Sequence, residues 1–190
     1  SYKAVKAIAE KGDASYYTEA AAIRALGTVV SGQLMAEKEE KVLKVLKSVL
    51  KERQGWNEIV RAGAIAALSQ MKTSERALNL ILDYTALGTP QALRLPAIRA
   101  LGTISTGQTT VNLERILERL QALARENFFL TQVAVVFALC QMETPKAIAI
   151  LQALADQTPD GRVRRIAEEA VQRVQKNVGS YKALKQLREE

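Results

Sequence analysis

A short helical pattern recurs five times along this chain, with a small apolar residue three positions before an Ala-Leu or Ala-Val step. The second alanine of each copy, here called the anchor, is Ala25, Ala67, Ala100, Ala138 or Ala170, so successive anchors lie 42, 33, 38 and 32 residues apart. Repeats of this length are typical of stacked helical hairpins, because a two-helix unit cannot bury its apolar face alone. The spacing therefore predicts an all-α chain of about five hairpins.

Turn residues and apolar periodicity place two helices in each repeat. Thr89-Pro90 and Thr144-Pro145 each put a hydroxyl cap before a proline suited to the first helical position. Pro96 removes a backbone donor, so we expect it to kink its helix or delay the helix start. No segment has the pattern of a strand. First helices are predicted near residues 2–11, 37–53, 74–87, 111–126 and 145–156, and second helices near 15–30, 57–72, 90–105, 130–142 and 161–177.

These helices are predicted to form a single repeat domain over residues 1–190. The tail at 180–190 carries Tyr181, Leu184 and Leu187 on one stripe, which we expect to form a capping helix over the last repeat. Because Ser1 leads at once into a helical pattern, we also expect the chain to be a fragment of a longer protein. The repeats are predicted at roughly 1–31, 37–72, 74–106, 110–142 and 144–177.

Small residues at the anchor and three positions before it explain how neighbouring second helices could pack closely. A large residue at Ala67 or Ala100 would push the helices apart, at a cost of about 1–3 kcal/mol. We therefore expect both positions to face the stack.

Histidine is absent from the 190 residues. Without imidazole there is no H-E-x-x-H zinc site and no Ser-His-Asp or Cys-His nucleophile pair, and nothing else in the chain pairs a nucleophile with a base. The longest apolar run, Val133 to Cys140, has eight residues, whereas a membrane-spanning helix needs about 20. Cys140 is the single cysteine, and we expect a small buried thiol in a cytoplasmic protein.

The second helices resemble those of HEAT repeats, which carry Val-Arg ahead of an alanine and end in Ala-Leu-Gly. Val60-Arg61, Leu93-Arg94 and Val163-Arg164 match the first element. Ala25-Leu26-Gly27 and Ala100-Leu101-Gly102 match the last, whereas Thr18-Glu19, Thr131-Gln132 and Cys140 depart from the pattern. The resemblance implies a right-handed α-α superhelix, an α solenoid that acts as a scaffold for protein–protein interaction.

A narrower resemblance comes from the segment Asp160 to Val171 with the charged tail that follows it, and from Trp56 ahead of Val60. These look like the C-terminal HEAT-repeat region of bacterial zinc aminopeptidases of the aminopeptidase N family. In such metallopeptidases the helical region walls the active-site chamber and restricts substrate access. No zinc ligand maps onto this chain, so the resemblance implies no catalytic, cofactor-binding or metal-binding residue here, and zinc is expected only in the parent's catalytic domain.

The formal charge of +7 and the pI of about 9.6 suggest an acidic partner. We predict a protein or peptide, or the remainder of the parent chain. An autonomous HEAT-type binding scaffold is the alternative, while an aromatic content of 5% argues against nucleic acid. For the C-terminal arginines, pairing with Asp156 or Asp160 is the competing structural interpretation. The candidate interaction surface comprises Arg24, Arg61, Arg94, Arg99, Arg162, Arg164, Arg165 and Arg173.

Overall fold

A computed structural model describes residues 2–12, 15–31, 36–55, 58–142 and 144–189. Trp56 lies outside these ranges. The described residues form helices and no strand, which confirms the predicted all-α class. Apart from the end of the last helix, the observed bounds lie within about four residues of the predicted ones. The helices are α1 (Tyr2–Lys11), α2 (Tyr16–Ser31), α3 (Ala36–Glu52), α4 (Ile59–Gln70), α5 (Glu75–Asp83), α6 (Gln91–Ser105), α7 (Thr110–Ala124), α8 (Phe129–Leu139), α9 (Pro145–Gln157) and α10 (Gly161–Glu189).

The two predicted Thr-Pro helix starts behave differently. Thr144 is the N-cap of α9, and its side chain accepts a hydrogen bond from the Ala147 N–H, as predicted. The prediction for Thr89 is wrong, because Pro90 itself is the N-cap of α6 and no side chain caps that helix. Pro96 does not delay the start of α6, which runs unbroken from Gln91. The missing Pro96 N–H frees only the carbonyl of an exposed residue in the first turn, where water can satisfy it.

The chain divides into two compact units, residues 1–109 and 110–190. In unit 1 the second helices α2, α4 and α6 pack side by side in that order, while α1 and α3 pack on α2 and α5 packs on α4 and α6. In unit 2 the second helices α8 and α10 are neighbours, with α7 packed on α8 and α9 on α10. Each unit thus has the serial hairpin order of an α solenoid. The prediction of one domain over 1–190 stays a prediction.

The anchor alanines line the contacts between helices. Ala67 and Ala138 are fully buried, and Ala100 and Ala170 are nearly so, whereas Ala25 is only half-buried. The expectation that Ala67 and Ala100 are buried in the stack is therefore confirmed.

Glycine brings α2 and α4 closer than alanine would allow. A Cβ placed on Gly27 would lie 2.2 Å from the carbonyl oxygen of Ala67, and a Cβ on Gly63 would lie 3.0 Å from that of Ala20. The backbones of the two helices therefore touch at two points. Sequence reasoning recognised Gly27 as part of a motif but did not predict this contact.

The predicted break between the last repeat and a capping helix is wrong, because α10 continues without interruption to Glu189. Gly179 falls inside this helix, where glycine lowers helix propensity by roughly 1 kcal/mol without ending the helix. The side chains of residues 180–189, including Tyr181, Leu184 and Leu187, lie outside the described part of the chain. Their capping role stays a prediction.

Candidate interaction surface

One position in each second helix joins that helix to the end of the helix before it. This residue, six before the anchor, is here called the turn position, and in hairpins 2 to 5 its side chain donates a hydrogen bond to a backbone carbonyl. The last carbonyls of a helix have no intrahelical donor, so this bond stabilises the helix end. The donors and acceptors are Arg61 Nε to Leu50 O at 2.7 Å, Arg94 Nε to Thr85 O at 2.8 Å, Gln132 Nε2 to Ala124 O at 3.0 Å and Arg164 Nη2 to Thr158 O at 3.2 Å.

Arg61 and Arg94 belong to the interior and not to an interaction surface. They are 9% and 7% exposed. Arg61 also pairs with Glu58 at 3.0 Å and lies over the ring of Tyr84 at 5.9 Å. The Tyr84 hydroxyl donates to the same Leu50 carbonyl at 3.2 Å. Placing these two arginines on the candidate surface is therefore wrong, since their guanidinium groups are used to satisfy buried carbonyls.

Hairpin 1 has an acid at the turn position and takes its donor from the next hairpin. Glu19 cannot donate, and Arg53 Nη2 instead donates to the carbonyl of Glu10 at 2.9 Å. Arg53 Nη1 lies 3.5 Å from Glu19 Oε1. Gly12, with φ +84°, leaves room for this guanidinium, because a Cβ there would lie 2.6 Å from Arg53 Nη1. The sequence showed the departure at Glu19, but nothing in it identified Arg53 as the compensating residue.

Arg162 fixes the start of α10. Its guanidinium donates to Asp160 Oδ2 at 2.7 Å and stacks over the Phe129 ring at 4.2 Å. The Arg162 N–H also donates to Asp160 Oδ1 at 2.9 Å, so Asp160 acts as an N-cap. Side-chain and then backbone hydrogen bonds from Arg162 lower the pKa of Asp160 to about 2. The competing interpretation, a structural pair with Asp160, holds for Arg162.

Arg162 and the remaining predicted arginines are exposed. Arg165 has Glu169 at 3.9 Å, and Arg164 donates to the Thr158 carbonyl from an otherwise exposed position. Arg24, Arg99 and Arg173 are also exposed. Six of the eight candidates are therefore exposed, namely Arg24 and Arg99 in unit 1 and Arg162, Arg164, Arg165 and Arg173 in unit 2, and Arg162 is the one among them paired with Asp160.

In unit 1 the exposed side of the second-helix layer is electropositive. The residue before the anchor is Arg24 on α2 and Arg99 on α6, whereas on the central helix α4 it is Ala66, with Ala62 one turn earlier. Within helices α2, α4 and α6 the one acidic residue is Glu19, and it is 3% exposed. Arg24 and Arg99 therefore lie on either side of the small side chains of Ala62 and Ala66, and none of the three helices exposes a carboxylate.

In unit 2 the same side carries apolar side chains on one helix and charged side chains on its neighbour, where exposed Glu169 lies between Arg165 and Arg173. Leu130 and Phe137 are 42% and 53% exposed and lie two turns apart on α8. Arg165 and Arg173 are two turns apart on the adjacent α10. Exposed apolar side chains of this size beside arginine are typical of protein contact sites. Sequence reasoning missed Leu130 and Phe137, although Phe137 directly precedes an anchor just as Arg24 and Arg99 do.

Cys140 is half-buried and not buried as expected. Burial raises the pKa of its thiol, and the nearby charge of Arg173 opposes that effect. Among the described residues, no three Cys, Asp or Glu side chains are close enough to hold a metal ion. No helix in this part of the chain combines the length and the apolar character needed to cross a membrane.

Comparisons with known proteins agree with the hairpin architecture. The sequence pattern of HEAT repeats matches residues 3–102 and again residues 86–172. The crystal structure of an engineered protein, a target of the Northeast Structural Genomics Consortium, is similar over 98% of this chain and 87% of that one, with 18% identity and a TM-score of 0.52. That likeness shows the fold alone. No curated protein matches the chain. Since the repeat pattern covers most of the sequence, the chain belongs to the HEAT-repeat family.

Proposed function

We propose that this chain is a noncatalytic interaction scaffold that binds an acidic segment of another protein on the exposed side of its second helices. The observation that carries the proposal is the layer formed by α2, α4 and α6, where Arg24 and Arg99 flank Ala62 and Ala66 and no carboxylate is exposed. Arginine forms two-pronged hydrogen bonds with carboxylates. Small residues between the cations let a partner's backbone approach closely.

The α8 and α10 side of unit 2 supports the same proposal with a second kind of contact. Leu130 and Phe137 offer apolar anchors, while Arg165 and Arg173 offer positive charge. Interface energy concentrates in buried apolar and arginine side chains. A partner with alternating acidic and apolar residues would therefore suit each unit, and HEAT repeats commonly mediate protein interactions.

A peptide-binding measurement tests the proposal directly. The probe is a fluorescent 20-residue amphipathic helix with glutamates on its polar face and leucines on the other, and its counterpart carries lysines instead. We expect the full chain to bind the acidic peptide only, and the double variant Arg24→Gln and Arg99→Gln to bind it about three- to tenfold more weakly, since two exposed ion pairs contribute about 0.2–1 kcal/mol each.

The control is Arg76→Gln, which removes an exposed arginine from the first helix α5. Equal binding of the control and the double variant would contradict the proposed face. A DNA duplex of the same length serves as a competitor. If it displaced the peptide at lower concentration than unlabelled peptide, with binding that weakens steeply as salt rises, the nucleic-acid alternative would replace this proposal.

The zinc aminopeptidase parent is a separate proposal that rests on the resemblance of Asp160 to Val171 and of the tail. Neither the HEAT-repeat match nor the similar engineered structure names such an enzyme. In that setting the chain would wall the active-site chamber, zinc would belong to the upstream catalytic domain, and the protein would be cytoplasmic. The reading frame upstream of Ser1 tests this: an H-E-x-x-H motif followed by a further glutamate supports it, and a start codon directly before Ser1 contradicts it.

A further inference from the structure

A cavity of about 170 Å³ in unit 1 is lined by Glu19, a buried carboxylate with one oxygen, Oε1, that has no hydrogen-bond partner. It lies between the start of α2, the end of α3 and the start of α4, and its lining includes Tyr16, Glu19, Glu52, Arg53 and Gly55. Cavities on the order of 150 Å³ can hold a molecule of the size of benzene. The space is therefore large enough for a small organic group.

Glu19 is the unusual member of this lining. Its side chain is 4% exposed, and Oε1 has no hydrogen-bond partner. Arg53 Nη1 lies 3.5 Å from Oε1 in an ion pair without a hydrogen bond, and Nη2 of the same guanidinium donates to the Glu10 carbonyl. A buried carboxylate oxygen left in this state is costly, so the cavity is short of a donor.

The other hairpins show what this position normally contains. Glu19 occupies the turn position, where Arg61 and Arg94 place a guanidinium in hairpins 2 and 3. Gln132 at the turn position of hairpin 4 also borders a cavity, of about 180 Å³. There, however, the amide is satisfied, because Nε2 donates to Ala124 O and Oε1 accepts from the Thr158 hydroxyl at 3.2 Å. Only the Glu19 cavity, among those in the described part of the chain, combines space with an unmet acceptor.

We propose that this cavity binds a guanidinium or primary ammonium group, either on a free small molecule or on a peptide side chain. The carboxylates of Glu19 and Glu52 outnumber the single guanidinium of Arg53 in the lining, so the charge favours a cation. Glu19 Oε1 accepts a hydrogen bond from the bound group. Tyr16, in the same lining, is 49% exposed, and an aromatic face attracts such cations.

The two sources of the ligand group are tested with two probes. One is agmatine, and the other is a blocked glycine-serine heptapeptide with one central arginine. Amide chemical shifts and the melting temperature of the full chain are followed during titration. We expect shifts confined to residues near 16–19, 53–55 and 59–60, with a millimolar dissociation constant, about 1 mM for the better probe. Binding of agmatine alone indicates a small-molecule site, and binding of the peptide indicates a side-chain site.

Glu19→Gln keeps the size of the side chain and removes the charge, and we expect it to weaken binding about tenfold or more. Glu114→Gln, which removes an exposed carboxylate paired with Lys146, is the matched control and should bind as the unmodified chain does. If Glu19→Gln does not fold, Gly55→Leu is used instead, because a side chain there grows toward Tyr16 Cε1, 4.0 Å from the Cβ position. The proposal is overturned if neither probe shifts these amides, which would indicate water alone, or if Glu19→Gln and Gly55→Leu both bind undiminished.

Discussion

At the scale of single residues, the absence of a side chain at Gly27 permits the contact between α2 and α4. Its Cα faces the backbone of Ala67, an anchor residue, and the atoms that a Cβ would meet are backbone atoms. Backbone cannot move aside as a flexible side chain can. The anchor alanines are therefore necessary for this packing but not sufficient, because the partner position on the neighbouring helix must be glycine.

Gly27→Ala is expected to destabilise the protein by about 1–3 kcal/mol or more through overpacking, although alanine is the better helix former. Gly179→Ala makes the same substitution inside α10, where nothing lies within 4 Å of the Cβ position. We expect this control to be neutral or stabilising by about 0.5–1 kcal/mol. Urea denaturation measures both. Equal effects of the two substitutions would show that α2 can move away from α4.

Asp160 is expected to make the free energy of unfolding depend on pH in the acid range. Its pKa is about 2 in the folded chain, below the value of about 3.9 expected in an unfolded chain. Its contribution is therefore present above about pH 4 and is lost as the pH falls toward 2. Asn at this position still caps α10 but cannot titrate, so Asp160→Asn should flatten the stability profile between pH 4 and 2.

Thermal melts across this pH range, with Asp156→Asn as a control at an exposed position on α9, check the expectation. A profile for Asp160→Asn as steep as that of the unmodified chain would contradict it.

At the scale of helices, the turn position in hairpins 2 to 5 joins the second helix to the end of its partner. Arg61, Arg94, Gln132 and Arg164 differ in charge, length and exposure, yet each donates to a carbonyl between six and eleven residues earlier in the chain. The shared property is a donor at that point. Because the uncharged Gln132 donates in the same way as the arginines, the hydrogen-bond donor matters more at this position than the charge.

Arg94→Met retains an unbranched side chain and removes the donor to Thr85 O. We expect a loss of about 1–3 kcal/mol in the free energy of unfolding, because the carbonyl stays buried without this partner. Arg99→Met, at an exposed position five residues later on α6, should change stability by no more than about 0.5 kcal/mol. Chemical denaturation measures the free energy of unfolding of both variants. If Arg94→Met lost no more than Arg99→Met, the hydrogen bond to Thr85 would not contribute and Arg94 would act only through its apolar stem.

Helix positions could be predicted from the sequence because anchors, prolines and apolar spacing are local signals. Thr144-Pro145 is such a case, although the same pair at Thr89-Pro90 starts a helix without the threonine cap. The candidate surface was predicted less well. Whether an arginine turns inward depends on a carbonyl from another helix, and the Val-Arg motif at Arg61 and Arg94 does not report that carbonyl. Exposed Phe137 and compensating Arg53 likewise depend on neighbours that no short motif reports.

At the scale of the whole molecule, unit 1 and unit 2 are each held by contacts between successive hairpins. Stability in such proteins is approximately a sum of the stabilities of the repeats and of their nearest-neighbour interfaces. A defect introduced into one interface should therefore act most strongly on the helices that share it.

Hydrogen exchange measured by mass spectrometry tests this on Gly27→Ala. Protection should fall most in α2 and α4, whose backbones touch at the substituted position, and least in α9 and α10. A uniform loss of protection through all the helices of the described residues would show that the chain unfolds as one cooperative body.

Because Glu19 cannot donate and Arg53 of the next hairpin donates instead, the first hairpin depends on the hairpin that follows it. A duplicated or permuted gene that put this hairpin ahead of a repeat without an arginine equivalent to Arg53 would leave the Glu10 carbonyl without its donor and Glu19 without a neighbouring cation. Recombination that separates hairpin 1 from hairpin 2 should therefore destabilise the product. Engineered arrays that use hairpin 1 should include hairpin 2 directly after it.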